Sequence, residues 1–181
     1  MSLELVFETH QTTLDNEAGI ATGWLHGRLS PLGRLQAHEL GERRRDDGLA
    51  AVFSSDLHRA VESVELAAFG EAGPPMLLDW RLRECDYGDL NGAPRDQVHA
   101  DGSAYLSTPY PGGESWQQAV DRVGSFLGDL LPRWDGARVL VVGHVATRLG
   151  LDHHLLGVPL AEALAAEFSW QPGWQYTLPG R

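Results

Sequence analysis

The sequence of this 181-residue chain predicts a three-layer α/β/α sandwich with a mostly parallel central sheet. Two observations predict it. Short apolar runs alternate with segments of helical period, as in repeated strand-helix-strand units. The length also matches one domain with one buried core, so residues 1–181 are expected to form a single domain. No internal repeat or low-complexity linker divides the sequence.

In the first half, the run Leu-Glu-Leu-Val-Phe at residues 3–7 predicts a buried strand. Ser30 is a good N-cap, and Pro31 suits the first helical position, where its missing N–H costs nothing. The helix that they open is expected to reach about Gly48. A second strand and a second helix are then expected at residues 49–54 and at about 56–69.

In the second half, residues 76–78 predict a further strand, and residues 80–113 are rich in Gly, Pro, Asp and Asn. That stretch is long for a structureless loop, which favours a variable cap with short helices over the functional site. The next expected elements are a helix at 115–131 ended by Pro132, a strand at 138–143 and a helix at about 146–157. Residues 168–176 predict an edge strand, because Pro172 cannot donate within a central ladder.

Composition excludes several classes of partner. Fourteen basic and 25 acidic side chains give a net charge of -11, which argues against nucleic acid and anionic membranes. An anionic substrate would need a local positive pocket. The only cysteine, Cys85, fits a reducing, cytoplasmic setting, and no apolar run approaches the roughly 18 residues of a membrane span. No cofactor and no metal are expected, since adjacent side chains of the tract Asp152-His153-His154 point apart on a helix.

Two predicted parallel strands, at 3–7 and 138–143, are each followed closely by a histidine, His10 and His144. The carboxyl ends of such strands are where open α/β sheets build their sites. A neutral imidazole can attack phosphorus, and a protonated one can offset phosphate charge. Arg59, near the start of the helix after the 49–54 strand, would add a two-pronged donor to a helix N-terminus.

Four tracts extend this pattern. They are Thr9-His10-Gln11-Thr12-Thr13-Leu14-Asp15-Asn16, Ser54-Ser55-Asp56-Leu57-His58-Arg59-Ala60, Leu82-Arg83-Glu84 and Val142-Gly143-His144. Their order resembles the histidine phosphatase superfamily, with its phosphoglycerate mutase-like fold, over nearly the whole chain. The resemblance implies that His10 is the nucleophile and that Arg59 and His144 hold the phosphate. Glu84 would be the general acid, with Asp86 and Asp89 as alternatives, and Asn16 would line the phosphate pocket.

The first motif departs from the family pattern at two positions. Thr9 stands where the family has arginine, and Gln11 stands where it has glycine. The lost arginine removes charged hydrogen bonds of about 1.5–3 kcal/mol each, and Glu8 would deepen the deficit if it faced the pocket. We expect Arg28 or Arg83 to supply the missing cation, and Arg148 less so.

Three interpretations follow from these departures. The chain is a phosphatase with another cation, a site adapted to a different or less charged ligand, or a site that binds without turnover. The expected function is a metal-independent phosphomonoesterase with a phosphohistidine intermediate, a hydrolase of the histidine phosphatase type. The alternative is a weak or inactive anion-binding protein of the same fold. A phosphatase is preferred to a mutase because the resemblance implies a longer chain for the latter.

Further side chains are expected around the site. Trp24 would form one of its walls, and Ser115, with Glu114, would contact substrate or an ordered water. The partner is a small phosphorylated or anionic substrate. The other tryptophans, Trp116, Trp134, Trp170 and Trp174, are assigned to packing or substrate specificity rather than nucleic-acid stacking. Edge-to-edge pairing of the tryptophan-rich tail would give a homodimer.

Overall fold

The computed structural model describes residues 2–70 and 73–180, which contain one five-stranded sheet. The strand order is β3-β2-β4-β1-β5, with β1 to β4 parallel and β5 antiparallel to β1. The strands are β1 Leu3–Thr9, β2 Ala51–Ser54, β3 Met76–Leu78, β4 Arg138–Gly143 and β5 Trp174–Leu178. The predicted mostly parallel sheet is therefore confirmed.

Helices cover both faces of the sheet. The α-helices are α1 Leu14–Glu17, α2 Pro31–Arg44, α3 His58–Ala67, α4 Arg95–His99, α5 Trp116–Trp134, α6 Val145–Leu156 and α7 Leu160–Ala165. Alternate side chains of β1 enter different layers. Leu5 and Phe7 pack in one cluster with residues of α5 and α6, whereas Val6 packs with residues of α2 and α3. The three-layer α/β/α sandwich follows from this alternation.

The register of the two central strands brings the predicted histidines together. Thr9 of β1 pairs with Gly143 of β4, and the His10 N–H donates to the Gly143 carbonyl at 2.9 Å. His10 and His144 therefore leave the sheet side by side at its carboxyl edge. β2 lies on the other side of β4, which brings Ser55 to the same edge.

Several element boundaries differ from the sequence prediction. Helix α2 ends at Arg44, before Gly48, and the chain continues in a turn in which the Asp47 N–H donates to the Arg44 carbonyl. Helix α5 continues past Pro132 to Trp134, since a proline in the last turn removes only one helical hydrogen bond.

Two differences concern the C-terminal part of the chain. Helix α7 was not predicted, and β5 begins at Trp174, so residues 166–173 cross the carboxyl edge of the sheet without forming a strand. β5 is an edge strand, as expected, and pairing of two chains through it stays a prediction.

Residues 80–113 contain α4 and three short 3-10 helices, Trp80–Leu82, Gly88–Leu90 and Gly102–Tyr105. This segment supplies one side of the cavity described below. Within the described ranges, no helix is both long and apolar enough to cross a membrane.

Candidate active site

A cavity of about 710 Å³ opens at the carboxyl edge of the sheet. Its lining includes all four residues predicted to carry the chemistry, His10, Arg59, Glu84 and His144, together with Asn16. These residues come from four separate segments of the chain, and the parallel strand order is what brings them to one place.

His10 is held in one tautomer by two contacts. Its Nδ1 lies 2.8 Å from the Gln11 carbonyl oxygen, which can only accept, so Nδ1 carries the proton. Its Nε2 accepts from Arg59 Nε at 3.3 Å and therefore presents a lone pair. Burial, and then the charge of Arg59, lower the pKa of His10 to about 3. The ring is neutral at physiological pH, with the Nε2 lone pair facing Arg59.

His144 is the buried N-cap residue of α6, with its ring centroid 5.0 Å from that of His10. Arg59 Nη2 donates to its Nδ1 at 3.2 Å, so the neutral ring donates from Nε2 to Ser55 Oγ at 2.6 Å. Burial, followed by the charge of Arg59, lowers the pKa of His144 well below its ordinary value. His144 is thus neutral here, not the cation that the sequence argument considered.

Arg59 lies between the two histidines and is only 2% exposed. Its guanidinium also donates to the carbonyl oxygens of Gly23, at 2.9 Å, and Leu25, at 3.3 Å. Among the described residues, no carboxylate lies within ion-pair distance of it. A buried cation whose hydrogen bonds all go to neutral groups favours an anion beside it.

Glu84 is oriented by backbone hydrogen bonds and is 8% exposed. Its Oε1 accepts from the N–H groups of Cys85, at 2.9 Å, and Ala146, at 3.0 Å. Oε2 makes no hydrogen bond within the described part of the chain, which leaves it available for proton transfer. The alternatives Asp86 and Asp89 do not line the cavity, which favours Glu84 as the acid.

The missing cation is not supplied by the arginines that we expected. Arg83 forms a two-point ion pair with Asp56, at 2.7 and 2.5 Å, and its guanidinium stacks on Trp24. Arg28 is exposed and lies outside the cavity lining. The expectation for both residues is therefore wrong. Arg148, the less favoured candidate, pairs with Asp152 on its own helix.

Two predicted substrate contacts are also wrong. Trp24 does not line the cavity. Its indole N–H donates to the backbone carbonyl of Glu84 at 2.6 Å, and this hydrogen bond helps to position the acid. Ser115 is the buried N-cap of α5, where its Oγ accepts from the Gln118 N–H. Glu114 instead pairs with Arg122.

The first motif places Thr9 at the cavity and Glu8 away from it. Thr9 lines the cavity and is 8% exposed, at the position where the family pattern has arginine. Glu8 points to the other face of β1 and binds Arg43, at 2.7 Å, and Arg44, at 2.7 Å. Because these arginines neutralise it, Glu8 does not deepen the charge deficit of the cavity.

Asn16 lines the cavity and is held there by the capping hydrogen bonds of α1. Its Oδ1 accepts from the Thr13 N–H, and the Thr13 side chain accepts from the Asn16 N–H, which forms a capping box at α1. The amide N–H₂ of Asn16 makes no hydrogen bond within the described residues. The box therefore fixes a donor at the cavity wall, and a contact of Asn16 with phosphate stays a prediction.

Sequence reasoning missed several residues of the cavity. Arg95 and His99 lie on α4, one helical turn apart, and both line the cavity. Tyr87 also lines it, and Ser55 binds His144 from behind. Of the sequence predictions, only the expected cap at residues 80–113 covers Tyr87, Arg95 and His99. The side chains of the tract at 152–154 bind different partners: Asp152 binds Arg148 and the hydroxyl of Tyr176, and His153 and His154 bind the carbonyls of Val158 and Val120.

The two neutral histidines predict that acid destabilises the protein. Their pKa values in the folded state lie below the ordinary 6.5, so unfolding takes up protons below that pH. The contribution of neutral His10 to the free energy of unfolding is fully present above about pH 6.5. Below that pH it falls by about 1.4 kcal/mol per pH unit, down to about pH 3. Urea unfolding at pH 7.5 and at pH 5.5 measures how much free energy of unfolding the protein loses on acidification. This loss should be about 1.4 kcal/mol smaller in His10→Gln than in the wild type. The matched control is the exposed residue His38, as His38→Gln. Equal losses in the wild type and His10→Gln would contradict the neutral assignment.

Comparison with known proteins agrees with this geometry. Residues 7–171 match the histidine phosphatase superfamily (branch 1). A protein of Allorhizobium ampelinum named 2,3-bisphosphoglycerate-dependent phosphoglycerate mutase is 35% identical over 159 residues, covering 80% of this chain and 75% of that protein. A Salmonella typhi protein named probable phosphoglycerate mutase GpmB is 31% identical over 165 residues, covering 87% and 76%.

Solved structures show the same likeness. YhfR of Bacillus stearothermophilus superposes with a TM-score of 0.84 at 25% identity, covering 96% of this chain and 90% of that one. A mycobacterial glucosyl-3-phosphoglycerate phosphatase superposes with a TM-score of 0.78 at 27% identity, covering 91% and 84%. The match over most of the chain, with its motif residues converging on one cavity, establishes that the protein belongs to branch 1 of the histidine phosphatase superfamily.

Proposed function

We propose that this protein hydrolyses phosphomonoesters without a metal, through a phosphoryl group carried on His10 Nε2. One observation carries the proposal. A buried arginine with no carboxylate partner among the described residues lies between two neutral histidines, one of which presents a lone pair. Such a site suits an anion whose central atom is open to nucleophilic attack.

In the first step, the Nε2 lone pair of His10 forms a bond to phosphorus while the bond from phosphorus to the ester oxygen breaks. Glu84 Oε2 gives its proton to the departing oxygen, so that an alcohol leaves. The Nδ1–H of His10 keeps its hydrogen bond to the Gln11 carbonyl oxygen throughout, and this carbonyl stabilises the positive charge that the ring acquires.

In the second step, water attacks phosphorus and the bond from nitrogen to phosphorus breaks, which returns the electron pair to Nε2. The Glu84 carboxylate takes a proton from that water and becomes the acid for the next cycle. Inorganic phosphate leaves, and His10 is neutral again.

Arg59 and His144 would stabilise the phosphoryl group during both steps. The protons that Arg59 donates to His10 Nε2 and His144 Nδ1 would turn to phosphate oxygens. A bound phosphate dianion also opposes the field of Arg59 and so raises the pKa of His144. His144 would then take up a proton at Nδ1 from the substrate or solvent, keep it, and donate a hydrogen bond from Nδ1–H to a phosphate oxygen.

The role of Glu84 predicts an effect that depends on the leaving group. Glu84→Gln keeps an oxygen that can accept from Cys85 and Ala146 but cannot supply a proton. Single-turnover hydrolysis of an alkyl phosphate should fall by about 10²–10⁴-fold. With 4-nitrophenyl phosphate, whose leaving group needs no proton, a stoichiometric burst of nitrophenolate should precede slow turnover.

The control for this prediction is Asp89→Asn, which changes an exposed carboxylate outside the cavity. Asp89→Asn should leave the rates of hydrolysis of the alkyl phosphate and of 4-nitrophenyl phosphate unchanged. Equal losses for the two esters in Glu84→Gln, without a burst, would remove Glu84 from the role of acid.

Arg95 predicts a smaller effect on substrate binding. It lines the cavity, is exposed, and has no ion-pair partner among the described residues, so it attracts anions against the net charge of -11. Arg95→Ala should raise KM for a small phosphomonoester by up to about fivefold, with kcat unchanged. Arg28→Ala is the matched control, and an equal rise in KM there would show that Arg95 acts only through overall charge.

The proposed function is tested by phosphate release from phenyl phosphate between pH 5 and 8, with and without a chelator. We expect turnover that the chelator does not alter. Tight binding of inorganic phosphate without turnover would instead favour the anion-binding alternative. Mutase activity is a second candidate, because the curated relatives described above carry that name. Interconversion of 2- and 3-phosphoglycerate, faster than release of phosphate from either, would favour it.

A further inference from the structure

The cavity has a second half that the proposed mechanism does not use. Besides the residues of the proposed mechanism, it is lined by Tyr87, His99 and Trp116. The Tyr87 ring makes edge contacts with the other two, with centroids 5.7 Å from His99 and 6.0 Å from Trp116. These three rings form one aromatic wall.

Two further aromatic side chains at this cavity come from the C-terminal part of the chain. Phe168 and Trp170, in the segment 166–173, line the same cavity, yet they remain 41% and 54% exposed. Large exposed aromatic side chains beside a cavity are typical of a ligand site, because the protein gains nothing from leaving them in water. We call Tyr87, His99, Trp116, Phe168 and Trp170 the aromatic subsite.

The aromatic subsite lies where the leaving group must go. Glu84 would protonate the ester oxygen, so the group attached to that oxygen extends past Glu84. Tyr87 follows Glu84 by three residues, and burial, then the Glu84 carboxylate, raise the pKa of Tyr87 well above its ordinary value. Glu84 and the three rings line one cavity, so a leaving group bound at Glu84 has access to the aromatic wall.

Charge and size favour the same class of leaving group. Arg95 is the only arginine or lysine among the described lining residues besides Arg59, which the phosphoryl group would occupy. A leaving group with several negative charges would find few donors there. The volume of about 710 Å³ also lies in the range of about 300–1,000 Å³ that is usual for larger organic ligands.

Resting on the proposed function, we propose that the substrate is a phosphomonoester whose leaving group carries an aromatic or heteroaromatic ring, which binds in the aromatic subsite. Edge-to-face and offset contacts with the exposed rings of Phe168 and Trp170 would hold this ring against the buried Tyr87 and Trp116, which are 4% and 1% exposed. The subsite thus selects the alcohol, while Arg59 and the histidines bind the phosphoryl group that all substrates share.

The test compares 2-phenylethyl phosphate with ethyl phosphate, since both release an alkyl alcohol and differ mainly in the ring. In the wild type, kcat/KM should be at least about tenfold higher for the phenylethyl ester. Trp170→Ala and Phe168→Ala should each lower this ratio by about threefold or more, mainly through KM for the phenylethyl ester. Trp80→Ala is the matched control, because Trp80 is as exposed, at 53%, but lies outside the cavity lining.

Binding of the corresponding phosphonates, which cannot be hydrolysed, separates the two proposals. If neither ester is hydrolysed but the phenylethyl phosphonate binds at least about tenfold more tightly, and Trp170→Ala reduces that preference, the proposed function fails and the subsite stands. If both esters are hydrolysed with equal kcat/KM, the function stands and the subsite is overturned. A ratio that neither variant changes, or that Trp80→Ala changes equally, also overturns the subsite, as does failure of the phosphonates to bind.

Discussion

Replacement of His10 by asparagine is expected to lower kcat/KM for every phosphomonoester at least about 10⁴-fold, the largest effect of any single change. Asparagine is similar in size and keeps a polar group at the end of β1, but it has no nitrogen lone pair to attack phosphorus. The covalent route is then closed, and only the binding contributions of Arg59 and His144 remain. The measurement is the release of inorganic phosphate under substrate saturation and at low substrate.

The matched control is His38→Asn, on the exposed surface of α2, which should retain full activity. Urea unfolding at pH 7.5 would establish that His10→Asn is folded. A folded His10→Asn protein with more than about one hundredth of the wild-type kcat/KM would show that another group is the nucleophile.

Arg59→Lys is expected to have the next largest effect, a loss of about 10²–10³-fold in kcat/KM. Lysine keeps the positive charge but not the planar fork that reaches both histidines and the carbonyls of Gly23 and Leu25. The loss should appear mostly in kcat, because charge spreads over the phosphoryl oxygens in the transition state. Arg34→Lys, at an arginine that is 57% exposed, is the matched control.

A second measurement separates a role in the site from a role in folding. The charge of Arg59 contributes to the low pKa of His10, after burial. In Arg59→Met, NMR titration should therefore find the pKa of His10 raised from about 3 towards its ordinary value. An unchanged His10 pKa in the folded variant, with activity retained, would contradict the central position of Arg59.

The sheet and the main site residues could be predicted because their signals are local. The apolar runs that became β1, β2 and β4 are short and bounded by polar or glycine residues, and each leads directly into a motif. Once these strands are parallel, His10 and His144 must leave at the same edge. The convergence of the four catalytic candidates follows from strand order, whereas their roles stay predictions until activity is measured.

The supporting residues could not be predicted, because the direction of a long side chain depends on distant partners. Arg83 adjoins Glu84 in sequence, yet Asp56 and the ring of Trp24 hold its guanidinium outside the cavity. Arg95 carries no motif and reaches the cavity only because α4 packs beside it. Sequence adjacency therefore indicated the wrong arginine.

The same reasoning explains the errors at caps and in the C-terminal segment. Ser115 was expected to contact substrate, but as an N-cap its hydroxyl is used by the backbone of α5. Residues 168–173 resemble a strand in composition, yet they lie beyond the end of the β1–β5 pairing and cross the cavity instead. Neither arrangement has a signal in the local sequence.

The central claim is that His10 carries the phosphoryl group, and trapping the intermediate tests it most directly. Glu84→Gln, which slows the attack of water, would be mixed with 4-nitrophenyl phosphate, quenched in alkali and digested, and the peptides would be analysed by mass spectrometry. The account predicts one phosphoryl group on the peptide that contains His10, formed at the rate of the nitrophenolate burst and absent from His10→Asn. Turnover with no phosphorylated peptide, or a phosphoryl group on another residue, would contradict it.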